Sequence, residues 1–141
     1  MFLIFLLCAC ANESIGYQYL GKKYINSPLG EGYGYDSDPL IRYDAFDCTT
    51  FVETTLARGN IEKLSRIRYS DAKHDFLSRN HFIESDWMSH NADLVENVSS
   101  LYGQTETRFV KIDKKSWLKK VHNIDAGFPI RYINLEYLPY S

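Results

Sequence analysis

The stretch that most restricts the fold is Asp47 to Asn60, DCTTFVETTLARGN. Phe51, Val52, Thr55 and Leu56 fall on one side of a helix, and Gly59-Asn60 is a stop signal. Asp47 is placed as the N-cap, its carboxylate accepting from the free amides of the first turn. Cys48 then sits in the first turn, on the same side as Val52. A helix start lowers a thiol pKa through free amides and the helix dipole. The same amides can hold the oxyanion of an acyl-transfer transition state. A histidine within reach would complete the activation. Cysteine is also a common buried apolar residue, and alignment with Val52 fits a core thiol equally well. Spacing alone leaves both open.

Around this helix the elements are short. Gly16 to Asp38 is rich in Gly, Tyr, Asn, Ser and Pro, and reads as a docked loop with one helical turn near Tyr19. Leu40 to Tyr43 reads as a short strand or extended approach to the cysteine. Ile61 to Ile67 is expected to be a second helix. Tyr69 to Asn91 has no clean period and reads as loop, with a short helix at Glu84 to Ser89. Val95 to Leu101 and Thr107 to Ile112 are expected as strands around a turn at Gly103-Gln104. Ser116 to Ile124 has helical spacing, and Ile133, Leu135 and Tyr137 alternate as in a strand. At 141 residues the chain holds one domain at most.

The first ten residues, MFLIFLLCAC, differ from everything after them. Phe2 to Leu7 is apolar but far below the about 20 residues that span a bilayer. Leu7-Cys8-Ala9-Cys10 resembles the lipobox of bacterial lipoproteins. That resemblance implies an export leader over residues 1–10, a lipid anchor on Cys10, and a cell-envelope location in a bacterium. The opposing reading is a buried N-terminal strand of a cytosolic protein. With the leader removed, Cys48 is a lone thiol in the body of the protein, with no disulfide partner. The net charge of -2, from 16 basic and 18 acidic residues, gives no reason to expect nucleic acid as a partner.

DCTTFVE, residues 47–53, is similar to the D-C-[ST]-x-x-[VA] signature of NlpC-type cysteine hydrolases, a papain-like group that cuts peptidoglycan stem peptides. Together with Leu20-Gly21, Tyr24, Arg66-Ile67-Arg68-Tyr69, Ser78-Arg79-Asn80-His81-Phe82 and Ser85-Asp86-Trp87, it resembles the N-acetylmuramoyl-L-alanine amidase-like branch. The resemblance implies an α+β, papain-like domain over residues 11–141, with the Cys48 helix packed on an antiparallel sheet. It implies Cys48 as nucleophile, Tyr24 as a tyrosine lining the catalytic pocket, Tyr24 and the N-cap Asp47 as the substrate-binding residues, and peptidoglycan stem peptides as substrate. No cofactor is expected, and the three histidines from His74 to His90 lack the helical i, i+4 pair that a metal site would use.

In that family the histidine base follows a G-D-[IV] strand in an H-x-G pattern, and no such segment occurs here. The expectation is therefore a chain holding the N-terminal part of the domain, with an incomplete catalytic pair. His81, inside the family-like run, is the candidate base or cleft residue. His74 reads as a solvated loop residue, His90 as a polar loop residue, and His122 as part of a surface helix. Three functions follow: a peptidoglycan cysteine hydrolase working through a Cys48 thioester; a non-catalytic, lipid-anchored muropeptide-binding module or split-gene fragment; and another papain-like chemistry of the transglutaminase or CHAP type.

Overall fold

The structure, a computed structural model, describes residues 15–139. Cys8, Cys10 and the leader expected over residues 1–10 lie outside the described residues. Among the described residues, the chain divides into two compact units, 15–82 and 83–139.

The first unit begins with a 3-10 turn, Ile15–Tyr19. Strand β1, Lys23–Tyr24, pairs in parallel with β2, Ala45–Phe46. Helix α1, Cys48–Ala57, follows β2 after the single residue Asp47, and α2, Ile61–Arg68, packs against it. Both helices are closed by local chemistry. Asp47 and Thr50 form a reciprocal capping box at the start of α1. Asn60 caps α2 by accepting from the Lys63 amide at 2.8 Å. Glu62 in the first turn of α2 and Arg66 and Arg68 in its last turn complement the helix dipole.

An aromatic cluster ties these pieces together. Tyr19 lies 5.1 Å from Phe46 and 6.4 Å from Phe51 between ring centres, and Phe46 meets Phe51 edge-on at 5.8 Å. Leu64 and Ile67 of α2 are fully buried in the same unit. Burial of such side chains contributes about 1.5–3 kcal/mol each. The loop after β1 brings Gly30 close against Asp36, where an added Cβ would meet Asp36 Oδ1 at 2.3 Å and the Asp36 carbonyl at 2.8 Å. Only glycine fits there.

The second unit starts with a π-turn, Ile83–Trp87, that runs into the short helix α3, Met88–His90. Strand β3, Glu106–Ile112, helix α4, Lys114–His122, and strand β4, Arg131–Tyr137, follow. β3 and β4 form a seven-pair antiparallel ribbon, with Val110 opposite Ile133. Trp87, Val98, Leu118 and Ile124 are its buried apolar residues.

Both helices expected downstream of Cys48 at 61–67 and 116–124 form within two residues of the expected bounds. The strand expected over Val95 to Leu101 does not form. Its end is a 3-10 turn, Ser99–Leu101, and β3 pairs with β4 instead. Asn97 accepts from the Ser99 amide at 2.9 Å, a side-chain turn that competes with strand pairing. Leu40 to Tyr43 stays irregular, with the strand falling at Ala45–Phe46. The buried side of α1 is also rotated from the apolar spacing: Thr50, Glu53, Thr54 and Ala57 are buried, while Phe51, Val52, Thr55 and Leu56 are half-buried. The sheet that α1 touches within its own unit is the parallel β1–β2 pair, and the antiparallel ribbon belongs to the other unit.

Candidate functional site

Asp47 organises the start of α1. Its Oδ1 accepts from the Thr50 amide and the Thr50 hydroxyl, both at 2.8 Å. Its Oδ2 accepts from the Ser27 amide at 3.1 Å, which ties the segment after β1 to the helix start. The Phe51 amide donates to the Asp47 carbonyl at 3.0 Å. This pattern leaves the amides of Cys48 and Thr49 at the head of the helix, where anionic groups are favoured. The Asp47 carboxylate is thus taken up by the cap and the loop it holds.

Cys48 is an exposed free thiol, with Thr49 Oγ1 3.9 Å from its Sγ. Its side chain is exposed in this structure rather than packed in the interior. Tyr24 comes to the same region through strand pairing. It stands opposite Phe46 in the parallel pair, and the Ile25 amide donates to the Phe46 carbonyl at 3.1 Å. Tyr24 is 72% exposed, so its ring is accessible on the segment running beside the one that ends at Cys48.

His81 belongs to the same unit but is engaged elsewhere. Its Nε2 lies 2.8 Å from the Phe76 carbonyl, and its ring stacks at a tilt on Phe76 with centres 4.7 Å apart. A neutral ring that donates from Nε2 has its lone pair on Nδ1. No hydrogen bond joins Cys48 to His81. His74 is not the solvated residue that its charged neighbours imply: it is half-buried, with Nε2 2.5 Å from Ser65 Oγ and its carbonyl accepting from the Tyr33 hydroxyl. His90 is half-buried in α3, and His122 is exposed at the end of α4, 5.0 Å from the Trp117 ring.

Two buried ion-pair systems support this region, and spacing did not reveal them. Arg68 Nε donates to Glu53 Oε2 at 2.8 Å, and its Nη1 donates to the Leu40 carbonyl at 2.9 Å. One guanidinium thus joins α1, α2 and the approach to β2. Glu31 accepts from Tyr69 at 3.0 Å and from Arg79 at 2.9 and 2.5 Å, while Arg79 also reaches Asp36 at 3.0 Å. Burial works against the Arg79 charge, but Glu31 and Asp36 outweigh it and hold its pKa above the ordinary value. Burial, and then the Glu31 charge, push the Tyr69 phenol well above its ordinary pKa. These contacts explain the two arginine-containing runs: Tyr69 and Arg79 form an antiparallel bridge, and the Asn80 amide donates to the Arg68 carbonyl at 2.9 Å. An acid within the helical run, Glu53, followed by paired arginines is the one sequence signal that points to them.

In the second unit, Asp86 receives Arg131 and lies 3.7 Å from Lys114 Nζ. Burial, partly offset by Asp86, lowers the Lys114 pKa. Ser85-Asp86-Trp87 is thus a packing and ion-pair run joining the π-turn, α4 and β4. Among the described residues, no three potential ligands gather into a metal site.

Comparisons place these features among known proteins. The chain resembles a Legionella pneumophila protein assigned to family DUF1460 with a TM-score of 0.76 at 23% identity, over 89% of this chain and 55% of that one. That likeness shows the shared mixed α/β fold. An N-acetylmuramoyl-L-alanine amidase from Bacteroides uniformis matches with a TM-score of 0.57 at 26% identity, over 76% of this chain and 51% of that one. A Bacteroides fragilis protein provisionally described as a xylanase matches with a TM-score of 0.57 at 29% identity, over 75% and 51%. The chain therefore spans about half the length of these solved relatives. No curated protein matches. The family model described as AmiA-like, N-acetylmuramoyl-L-alanine amidase-like, matches residues 14–141, and on that span the chain belongs to the AmiA-like family.

Proposed function

We propose that this chain is part of a bacterial cell-wall cysteine hydrolase that cuts an amide bond in peptidoglycan, with Cys48 as nucleophile on a papain-like, NlpC-type scaffold. One observation carries the reading: in a chain matching the amidase-like family over residues 14–141, the lone described cysteine is exposed at the capped start of α1. The Cys48 thiolate attacks the amide carbonyl carbon. Developing charge on the oxygen meets the amides at the helix head, as in other oxyanion sites. The proton given up by the Cys48 thiol passes to a base, for which His81 is the candidate, and returns to the amine nitrogen as the C–N bond breaks; water then hydrolyses the thioester to a carboxylic acid and the free thiol. Tyr24 lines the cleft. In the same proposal the expected lipid anchor on Cys10 holds the domain at the envelope, facing stem peptides.

The direct test is chemical. Cys48 is expected to react rapidly with iodoacetamide near neutral pH in the folded protein, and Cys48→Ala to abolish release of stem peptides from purified peptidoglycan. Labelling that requires denaturant would reject the nucleophile. His81→Ala decides its role: a loss of about 100-fold or more in kcat assigns His81 as the base, and an unchanged rate removes it.

A second reading, a muropeptide-binding module without turnover, is favoured by the hydrogen bond of His81 to the Phe76 carbonyl at 2.8 Å. It predicts retained muropeptide binding, with no product at any pH.

A further inference from the structure

The opposite end of α1 carries a separate feature. An open hollow of about 400 Å³ lies there, lined by Gln18, Tyr19, Lys22, Tyr43, Arg58 and Gly59. The ten residues of α1 span roughly 15 Å, so this hollow is distinct from the helix head that bears Cys48.

Its wall is positive. Lys22 and Arg58 are both exposed, and among the described residues neither side chain is in an ion pair. Asp44, the acid next to Tyr43, is engaged by Arg42 at 2.6 Å, and the Arg42 hydrogen bond holds its pKa down at about 2. That acid is therefore committed to its neighbour.

Arg58 is also in an unusual backbone position. It closes α1 in the left-handed region, with φ 54° and ψ 40°, where glycine is the default. The closing bonds come from its backbone amide, which donates to the Thr54 and Thr55 carbonyls at 3.2 Å each. Glycine would make the same bonds without the Cβ cost. The side chain is what arginine adds, and it lines the hollow.

The third element is aromatic. Tyr43 stacks on Tyr19 with centres 5.9 Å apart and planes 16° apart, yet remains 44% exposed. A supported, half-open ring beside two cations suits a sugar that bears a negative group.

We propose that this hollow is a binding subsite for an anionic saccharide, with its carboxylate or phosphate on Arg58 and Lys22 and its ring against Tyr43. The site goes beyond the cysteine hydrolase reading and does not depend on it.

The test is titration of the full chain, followed by NMR, with N-acetylmuramic acid, glucose 6-phosphate and neutral N-acetylglucosamine. The acidic sugars are expected to shift the signals of Lys22, Tyr43 and Arg58 and to bind at least about tenfold more tightly than the neutral one. The tighter of the two acids identifies carboxylate or phosphate as the recognised group. Arg58→Lys keeps the positive charge at the helix end but loses the planar fork. It is expected to weaken binding about tenfold with an unchanged unfolding midpoint. Lys22→Gln should weaken binding similarly, and Cys48→Ala should leave it intact. Equal binding of the neutral sugar, no shifts at these three residues, or undiminished binding by both cation variants would each overturn the site.

Discussion

At the scale of single residues, Asp47 links the chemistry to the fold. One carboxylate caps α1 through Thr50 and holds the Ser27 amide, so the helix head and the segment after β1 are positioned by the same group. Removing a cap of this type costs about 0.5–2 kcal/mol. The added Ser27 contact puts Asp47→Ala toward the upper end, near 2 kcal/mol by that scale. Asp47→Asn keeps an acceptor oxygen and is expected to lose less than half as much in urea unfolding. Equal losses would mean that the charge, not the hydrogen bonds, is what matters. The cap was readable because it is local: acceptor and donor are three residues apart. Exposure of Cys48 was not readable, since its alignment with Val52 describes a core thiol just as well. What decides it is the rotation of the buried side of α1 toward Thr50, Glu53, Thr54 and Ala57, set by neighbours far along the chain.

Between elements, long-range pairs replace the apolar periodicity that the sequence displays. Glu53 and Arg68 are 15 residues apart, and their side chains are 4% and 3% exposed. At that depth water does not screen them, and removing one partner strands a charge at a cost of about 3–5 kcal/mol. Glu53→Gln is therefore expected to destabilise the first unit by that much in denaturant titration. Replacing both residues by methionine should recover most of the loss, because neither charge is then left unpaired. A double variant as unstable as the single one would mean that the Arg68 bond to the Leu40 carbonyl, rather than the pair, secures α2. The same limit explains β3. Its alternation marks a strand, but alternation says nothing of the partner. Val95 to Leu101, next in sequence, is withdrawn by the Asn97 turn, so the pairing goes to Arg131–Tyr137 across α4.

At the scale of the molecule, the two units differ in what holds them. The first is locked by the ion pairs of Arg68 and Arg79 and by an aromatic cluster, so its helices should open only with the unit as a whole. The second contains a ribbon that is two strands wide among the described residues, and two strands alone are marginally stable in water. Across that ribbon Phe109 and Tyr132 lie face to face, 5.4 Å and 5° apart, while 69% and 59% exposed. Such a pair contributes about 0.5–1.5 kcal/mol beyond its area. It stabilises the ribbon at the cost of displaying apolar surface that a neighbouring molecule can meet. Replacing both rings by threonine keeps strand propensity and removes the stack. Hydrogen exchange in that double variant is expected to quicken at β3 and β4 amides by about two- to tenfold, and self-association to fall. Amides of α2 should keep their protection, because Leu64 and Ile67 lie in the other unit. Uniform acceleration across β3, β4 and α2 would instead mean that the ribbon and the helices open together, as one cooperative fold.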